Sequence, residues 1–254
     1  LVESGLARQA DADTYDVHDL IREFLLRSLS TALREEFHGK CAEWYQKQTS
    51  SYEVQIELIY HAIKSSQFEA ASEIVVNDGR QLVSQGYMEL LGLIEQIETD
   101  DLTSSVVIRM AQLQGDILAL LGRLNEAETV LNDTLERAQS TAGELVQAEI
   151  LSSLADVSRK QGNSELSLNR HKAALKHYIS LGNARWAART YNNIGYLLRR
   201  KNERNKALEA YGEVEAILES SDDDELIYSQ ITLARSLIEL GEVDRAREHA
   251  MASH

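Results

Sequence analysis

Arginines, amides and tyrosines at helical spacing are the side chains of this sequence best suited to recognition. Arg189, Asn192, Asn193, Tyr196, Arg199 and Arg200 crowd one short stretch, with Tyr228 and Arg235 further on. Guanidinium forks and amides suit carboxylate, phosphate or peptide-backbone recognition, and tyrosine adds flat apolar contact with a polar tip. Metal chemistry is poorly provided for. His38 and Cys41 stand at i,i+3, but two ligands without a third or fourth make a poor zinc site. A surface His38 and a half-buried Cys41 are the simpler reading, and no metal site is expected. His171 with His177, and His249 with His254, lack any HExxH-like context and read as surface residues. Neither G-x-x-x-x-G-K-[ST] nor G-x-G-x-x-G occurs, and no nucleophile–base pairing is evident, so the chain does not read as an enzyme. Asn132-Asp133-Thr134 fits a glycosylation sequon but falls inside a helical pattern and is set aside.

Charge narrows the choice of partner. The net charge is −15, from 41 acidic and 26 basic side chains, which argues against a nucleic-acid platform or an anionic membrane as the partner. The hydrophobic share, 43%, suits a folded chain. No apolar run approaches the ~20 residues of a membrane span. A single cysteine excludes an internal disulfide framework and fits a reducing, cytoplasmic setting.

The elements that must position these groups are helices, punctuated by turns. Proline is absent, so every break must come from glycine, asparagine or polar caps. Four stretches repeat one design: LLGRLNEA, RKQGNSEL, RRKNERNKA and LGEVDRA. Their turn residues Gly122, Gly162, Asn202 and Gly241 recur at intervals of 40, 40 and 39. Five positions after each stands a small residue, Ala127, Ser167, Ala207 or Ala246. Glycine and asparagine accept the left-handed backbone of a helix C-terminus, and the small residue lets the next helix pack back closely. The spacing predicts helix pairs 104–121 with 124–140, 143–161 with 164–180, 184–201 with 204–220, and 225–240 with 243 onward. A coiled coil is excluded, because its heptads would cross a stop in every unit. The acidic run 220–225 reads as a solvated loop capping the next helix.

Upstream the pattern changes. Residues 1–7 and 15–17 read as two short strands around a polar loop, followed by a helical stripe from His18 to Leu29. Thr31 to Gln48 predicts an amphipathic helix with Leu33, Phe37, Cys41, Trp44 and Tyr45 on one side. The segment 56–79 reads as a degenerate helix pair with its turn at Ser66 and Ala71 as the small residue. Arg80 to Ile97 predicts two shorter helices broken at Gly86, and 98–105 is a polar joint.

The repeats resemble tetratricopeptide repeats of a lengthened type. Tyr191-Asn192-Asn193-Ile194-Gly195-Tyr196, followed by Ala207 and Tyr211, follows that family's spacing. The resemblance implies an all-α, right-handed superhelical solenoid in which the first helix of each pair lines a concave groove. The groove positions are then Arg109, Gln112 and Asp116, then Ser152, Asp156, Arg159 and Lys160. Arg189, Asn192, Asn193, Tyr196, Arg199, Arg200, Tyr228 and Arg235 complete them. A protein, a peptide or a small anionic inducer is the implied occupant. The alternative is that acids such as Asp156 and Glu203 neutralise these arginines. The lysine and asparagine pair of the chaperone-binding carboxylate clamp is not matched.

The remainder is similar to STAND-class signal-transduction ATPases, those like the maltose-regulon activator in particular. HAIKSSQFEAASEIV with LVSQGYMELLGLIEQI resembles their linker helices. Tyr15-Asp16-Val17-His18-Asp19 resembles the Met-His-Asp motif of their winged helix, with Val17 in place of methionine. The resemblance implies that His18 senses ADP in the intact parent and that Asp19 orients the turn. ATP or ADP then belongs to that parent and no cofactor to this stretch. The implied domains are 1–30, the end of a winged helix with a β-hairpin remnant; 31–102, linker helices and a degenerate repeat; and 103–254, about four repeats with the last cut short. The implied function is a sensing arm that couples partner or inducer binding to a nucleotide switch outside the fragment. The alternative is a scaffold with no nucleotide link. An oligomeric parent is compatible with either.

Overall fold

The computed structural model describes residues 7–9, 15–17, 28–48, 51–220 and 226–252. The chain divides into two compact units, Leu1–Leu102 and Thr103–His254.

In the first unit, β1 (Ala7–Gln9) pairs antiparallel with β2 (Tyr15–Val17), with Arg8 opposite Asp16. The first strand thus lies at the end of the predicted 1–7 stretch and beyond it. Helix α1 (Thr31–Gln46) starts at Ser30, whose side chain accepts a hydrogen bond from the Leu33 N–H. Helix α2 (Tyr52–Lys64) starts in the same way, on Ser51 and the Val54 N–H. Each serine satisfies one of the free donors that every helix start leaves. The turn to α3 (Phe68–Ser84) passes through Ser66 at φ 60°, and Ala71 is fully buried behind it. A short α4 (Leu90–Ile94) follows the break at Gly86, φ 98°.

One expectation fails in this unit. Helix α3 does not stop at Gly79 but runs through it to Ser84, so the helix predicted from Arg80 is the end of α3. Ala71, Val75, Gly79 and Leu82 form one buried stripe. Continuing that burial outweighs the ~1 kcal/mol that a glycine costs inside a helix. The apolar stripe of α1 is only partly covered: Leu33, Phe37 and Trp44 are 36%, 47% and 56% exposed, Cys41 and Tyr45 are half-buried, and Ala42 is the buried residue of that helix.

The second unit is a stack of four helix pairs. They are α5 (Ser104–Leu120) with α6 (Leu124–Thr141), α7 (Glu144–Lys160) with α8 (Ser164–Ser180), α9 (Ala184–Arg200) with α10 (Arg204–Glu219), and α11 (Ile227–Glu239) with α12 (Val243–Ala252). Inside every pair the turn residue is left-handed, with φ 78° at Gly122, 84° at Gly162, 59° at Asn202 and 79° at Gly241. The next residue then donates to a carbonyl five positions back: Arg123 to Leu118, Asn163 to Ser158 and Glu242 to Leu237 at 2.9 Å, and Glu203 to Leu198 at 3.0 Å. This is the helix stop that glycine or asparagine permits.

Ala127, Ser167 and Ala207 are fully buried and Ala246 is 2% exposed, so the small-residue position does seat the second helix. The first helix helps in two pairs. A Cβ at Gly115 would lie 2.5 Å from Leu131 Cγ, and one at Gly195 would enter the Tyr211 ring. A further left-handed turn, at Gly182 (φ 63°), joins α8 to α9 with the same bond, Asn183 to Tyr178 at 2.9 Å.

Successive helices pack on one another throughout the stack, and α5 also rests on α7 and α9 on α11, whereas α7 and α9 approach less closely. Among the described residues no helix is long and apolar enough to cross a membrane.

Candidate functional site

First helices carry the candidate residues, and a helix turns about 100° per residue, so neighbouring positions meet different surroundings. On α5, Arg109 is exposed and Asp116 half-buried, but Gln112 is 3% exposed and its Nε2 has no partner. On α9, Asn192 is 3% exposed and donates to the Ser229 carbonyl of α11 at 3.0 Å. Gln112 and Asn192 are therefore corrected: their side chains are buried rather than open to a ligand. On α7, the Ser152 hydroxyl shares a hydrogen bond with Tyr178 Oη at 3.2 Å, and Arg159 pairs with Asp156 at 3.3 Å. Lys160 is also spent, on the Ala119 carbonyl at 2.8 Å.

The open stripe of α9 holds Arg189, Asn193, Tyr196 and Arg200, at i, i+4, i+7 and i+11. Arg189 and Arg200 are exposed; Asn193 and Tyr196 are half-buried. Arg200 donates to Tyr196 Oη at 3.2 Å, and both Arg199 and Arg200 lie over the Tyr196 ring, 5.5 and 6.0 Å from its centre. Arg199 pairs with Glu239 of α11. Arg189 lies over two rings, 5.0 Å from the centre of Trp186 and 5.7 Å from that of Tyr228. Tyr228 is 65% exposed and Arg235, also on α11, is exposed.

Neutralisation by neighbouring acids is thus only partial. Asp156 and Glu239 each take one arginine, but Glu203 pairs with Lys201 at 3.3 Å and Lys206 at 2.7 Å. Hydrogen bonds from Lys206 and then Lys201 hold the Glu203 carboxyl below its usual range. Arg189, Arg200 and Arg235 have no carboxylate partner among the described residues. A face of this make-up can grip carboxylate, phosphate or peptide groups.

His171 is not the surface residue the sequence suggests. His171 on α8 is 1% exposed and neither ring nitrogen has a partner. It occupies the repeat position that Leu131 and Tyr211 fill in the pairs on either side. Burial pushes its pKa down to about 4; Asp156 works against that, and Arg159 and Arg189 add to it. His38 Nδ1 stands 2.7 Å from His61 Nδ1, joining α1 to α2. Burial lowers the pKa of both, with Lys64 pressing on His38 and His38 pressing on His61. His177 lies 3.6 Å from Glu144, and His249 lies 3.1 Å from Glu215. Cys41 is a free, half-buried thiol. Among the described residues no group of three or more His, Cys, Asp or Glu is placed to hold a metal ion. His18, Asp19 and His254 lie outside the described residues.

Trp186 is the side chain of this face that the sequence reading missed. It stands one turn before Arg189 on α9, stacked on Tyr178 at 5.8 Å and 15°. Its i,i+3 spacing from an arginine was the available signal.

No curated protein matches the sequence. The fold is similar to several solved structures. One is a STAND protein with a tetratricopeptide repeat sensor from Pyrococcus horikoshii, at TM-score 0.59 and 16% identity, covering 99% of this chain and 44% of that one. The chain therefore spans less than half of that protein. A second is BtubC (BKLC) from P. vanneervenii, at TM-score 0.53 and 16% identity, covering 89% and 90%. A third is a Rap protein complexed with competence and sporulation factor, at TM-score 0.53 and 14% identity, covering 92% and 77%. At such identities the likeness concerns the fold. Residues 146–220, from α7 to the end of α10, match the tetratricopeptide repeat family, whose arrays are protein-interaction scaffolds.

Proposed function

We propose that this chain is the partner-sensing arm of a STAND-type regulator, with the open face of α9 and α11 as its reading surface. The observation that carries the proposal is the run Arg189, Asn193, Tyr196, Arg200, Tyr228 and Arg235, exposed or half-buried on adjacent first helices. A protein segment is the occupant that such a run suits, with a small anionic inducer as the lesser case. Arginine and tyrosine are the residue types that dominate binding energy at interfaces. The maltose-regulon-activator-like pattern around His18 and Asp19 supports coupling to an ATP/ADP switch, with 1–30 as the end of a winged-helix domain. A partner that binds the switched state more tightly than the resting one would drive the change through the linker helices. The chain itself performs no catalysis in this scheme.

A scaffold with no nucleotide link is the second reading. It is favoured by the likeness to BtubC, which spans 90% of that chain. The genomic sequence upstream of Leu1 separates the two: a phosphate-binding loop supports the switch, and a full-length reading frame without one ends it. For the surface itself, Arg189→Ala with Arg200→Ala should abolish retention of the physiological partner. Undiminished retention would remove this face from the account.

A further inference from the structure

Arg189 lies against two aromatic rings, its guanidinium carbon 5.0 Å from the centre of Trp186 and 5.7 Å from that of Tyr228; such contacts attract a guanidinium without using its N–H donors. Its support is rigid: Trp186 stacks on Tyr178, which is fully buried and bonded through its hydroxyl to Ser152 of α7. The chain has 41 acidic side chains against 26 basic ones, yet none of the described acids pairs with Arg189. Five donors in a fixed fork match a carboxylate edge-on, and a guanidinium already ordered loses little freedom when it binds one.

We propose that Arg189 is the specificity anchor of the groove and receives the side-chain carboxylate of an acidic residue in a bound peptide segment. This rests on the reading of the α9–α11 face as the partner surface. The rest of the stripe points to a peptide rather than a free anion. From Arg189 to Arg200 it extends about 16 Å along α9, offering Asn193 and the Tyr196 hydroxyl to backbone groups. An extended segment of about five residues covers that length.

The test is selection from a displayed library of random peptides on the full chain, on Arg189→Gln and on Arg189→Lys. Circular dichroism would first establish that each variant retains the wild-type helix content. Wild-type protein is expected to enrich peptides with Asp or Glu at one fixed position. An enriched peptide resynthesised with Gln or Asn there should bind roughly tenfold or more weakly, the worth of a charge-assisted hydrogen bond. Arg189→Gln should lose the acidic preference and the same factor in affinity. Arg189→Lys should lose part of it, since lysine keeps the charge without the fork. Peptides enriched without an acidic position, or bound equally by Arg189→Gln, would overturn the anchor and leave the groove standing. No enrichment on wild-type protein would overturn the groove reading, and the anchor with it.

Discussion

Replacing His171 by leucine should stabilise this protein, and more so in acid. The imidazole is 1% exposed with neither nitrogen partnered. A buried donor or acceptor left unmade costs about 1–3 kcal/mol. Leucine already fills the corresponding position at Leu131, which is fully buried. At pH 7 the variant should therefore gain about 1–3 kcal/mol.

The pH dependence has a definite sign. The folded-state pKa is pushed down to about 4 from 6.5, so between those values the unfolded chain holds a proton that the folded chain does not. Stability tied to the neutral ring is present above pH 6.5 and drains away as pH falls towards 4. Linkage puts the loss between pH 7 and pH 5 at about 2 kcal/mol. Leucine has no such term, so the gap between the two proteins should widen by that amount. Other titrating groups cancel in the difference. In thermal unfolding followed by circular dichroism the widening is about 4–8 °C, at roughly 2–4 °C per kcal/mol for a domain of this size. A gap that stays constant from pH 7 to pH 5 would refute the buried, unpartnered imidazole.

Gly195→Ala should destabilise by about 1–3 kcal/mol through overpacking, because its Cβ enters the ring of Tyr211. Helix propensity alone predicts the opposite sign, a gain of about 1 kcal/mol, so urea midpoints decide which effect wins. Asn202→Ala should cost roughly 1–2 kcal/mol because the backbone there is left-handed, while Asn202→Gly should cost nothing; thermal melts distinguish them. The His38–His61 contact should loosen below pH 6.5. Both folded pKa values are lowered, so the contact is favoured while the rings are neutral and lost as pH falls. Lys64 adds positive charge, Glu57 stands 3.8 Å from His61, and Tyr45 stacks on its ring. Intrinsic-rate-corrected hydrogen exchange in α1 should rise from pH 7 to pH 5 in wild-type protein and change little in His61→Gln.

Much of the second unit was legible because its turns leave little choice of residue. A left-handed stop followed by a small residue is visible as Gly122 and Ala127 or Asn202 and Ala207, and the helix pairs followed from it within a few residues. Gly182 makes the same stop between pairs but lies outside the repeated motif, so the repeat does not reveal it. The site was less legible. Asn192 and Asn193 are adjacent amides, yet one bonds the Ser229 carbonyl and the other lies on the open stripe; a turn of about 100° decides that. His171 read as surface by residue type, although the register that aligns it with Leu131 and Tyr211 already marked a core position. Leu33, Phe37 and Trp44 formed a helical stripe, but periodicity identifies a stripe without its cover. The pairing of His38 with His61 joins separate helices, and no local pattern announces it.

Site-specific photo-crosslinking in cells that carry the full-length protein tests the central claim most directly. The probe would be placed at Asn193 and Tyr228 on the first helices, and at Lys172 and Glu213, which are exposed on α8 and α10. One and the same partner captured from 193 and 228, and from neither 172 nor 213, is the predicted result. Capture from 172 or 213 with none from 193 and 228 would contradict it.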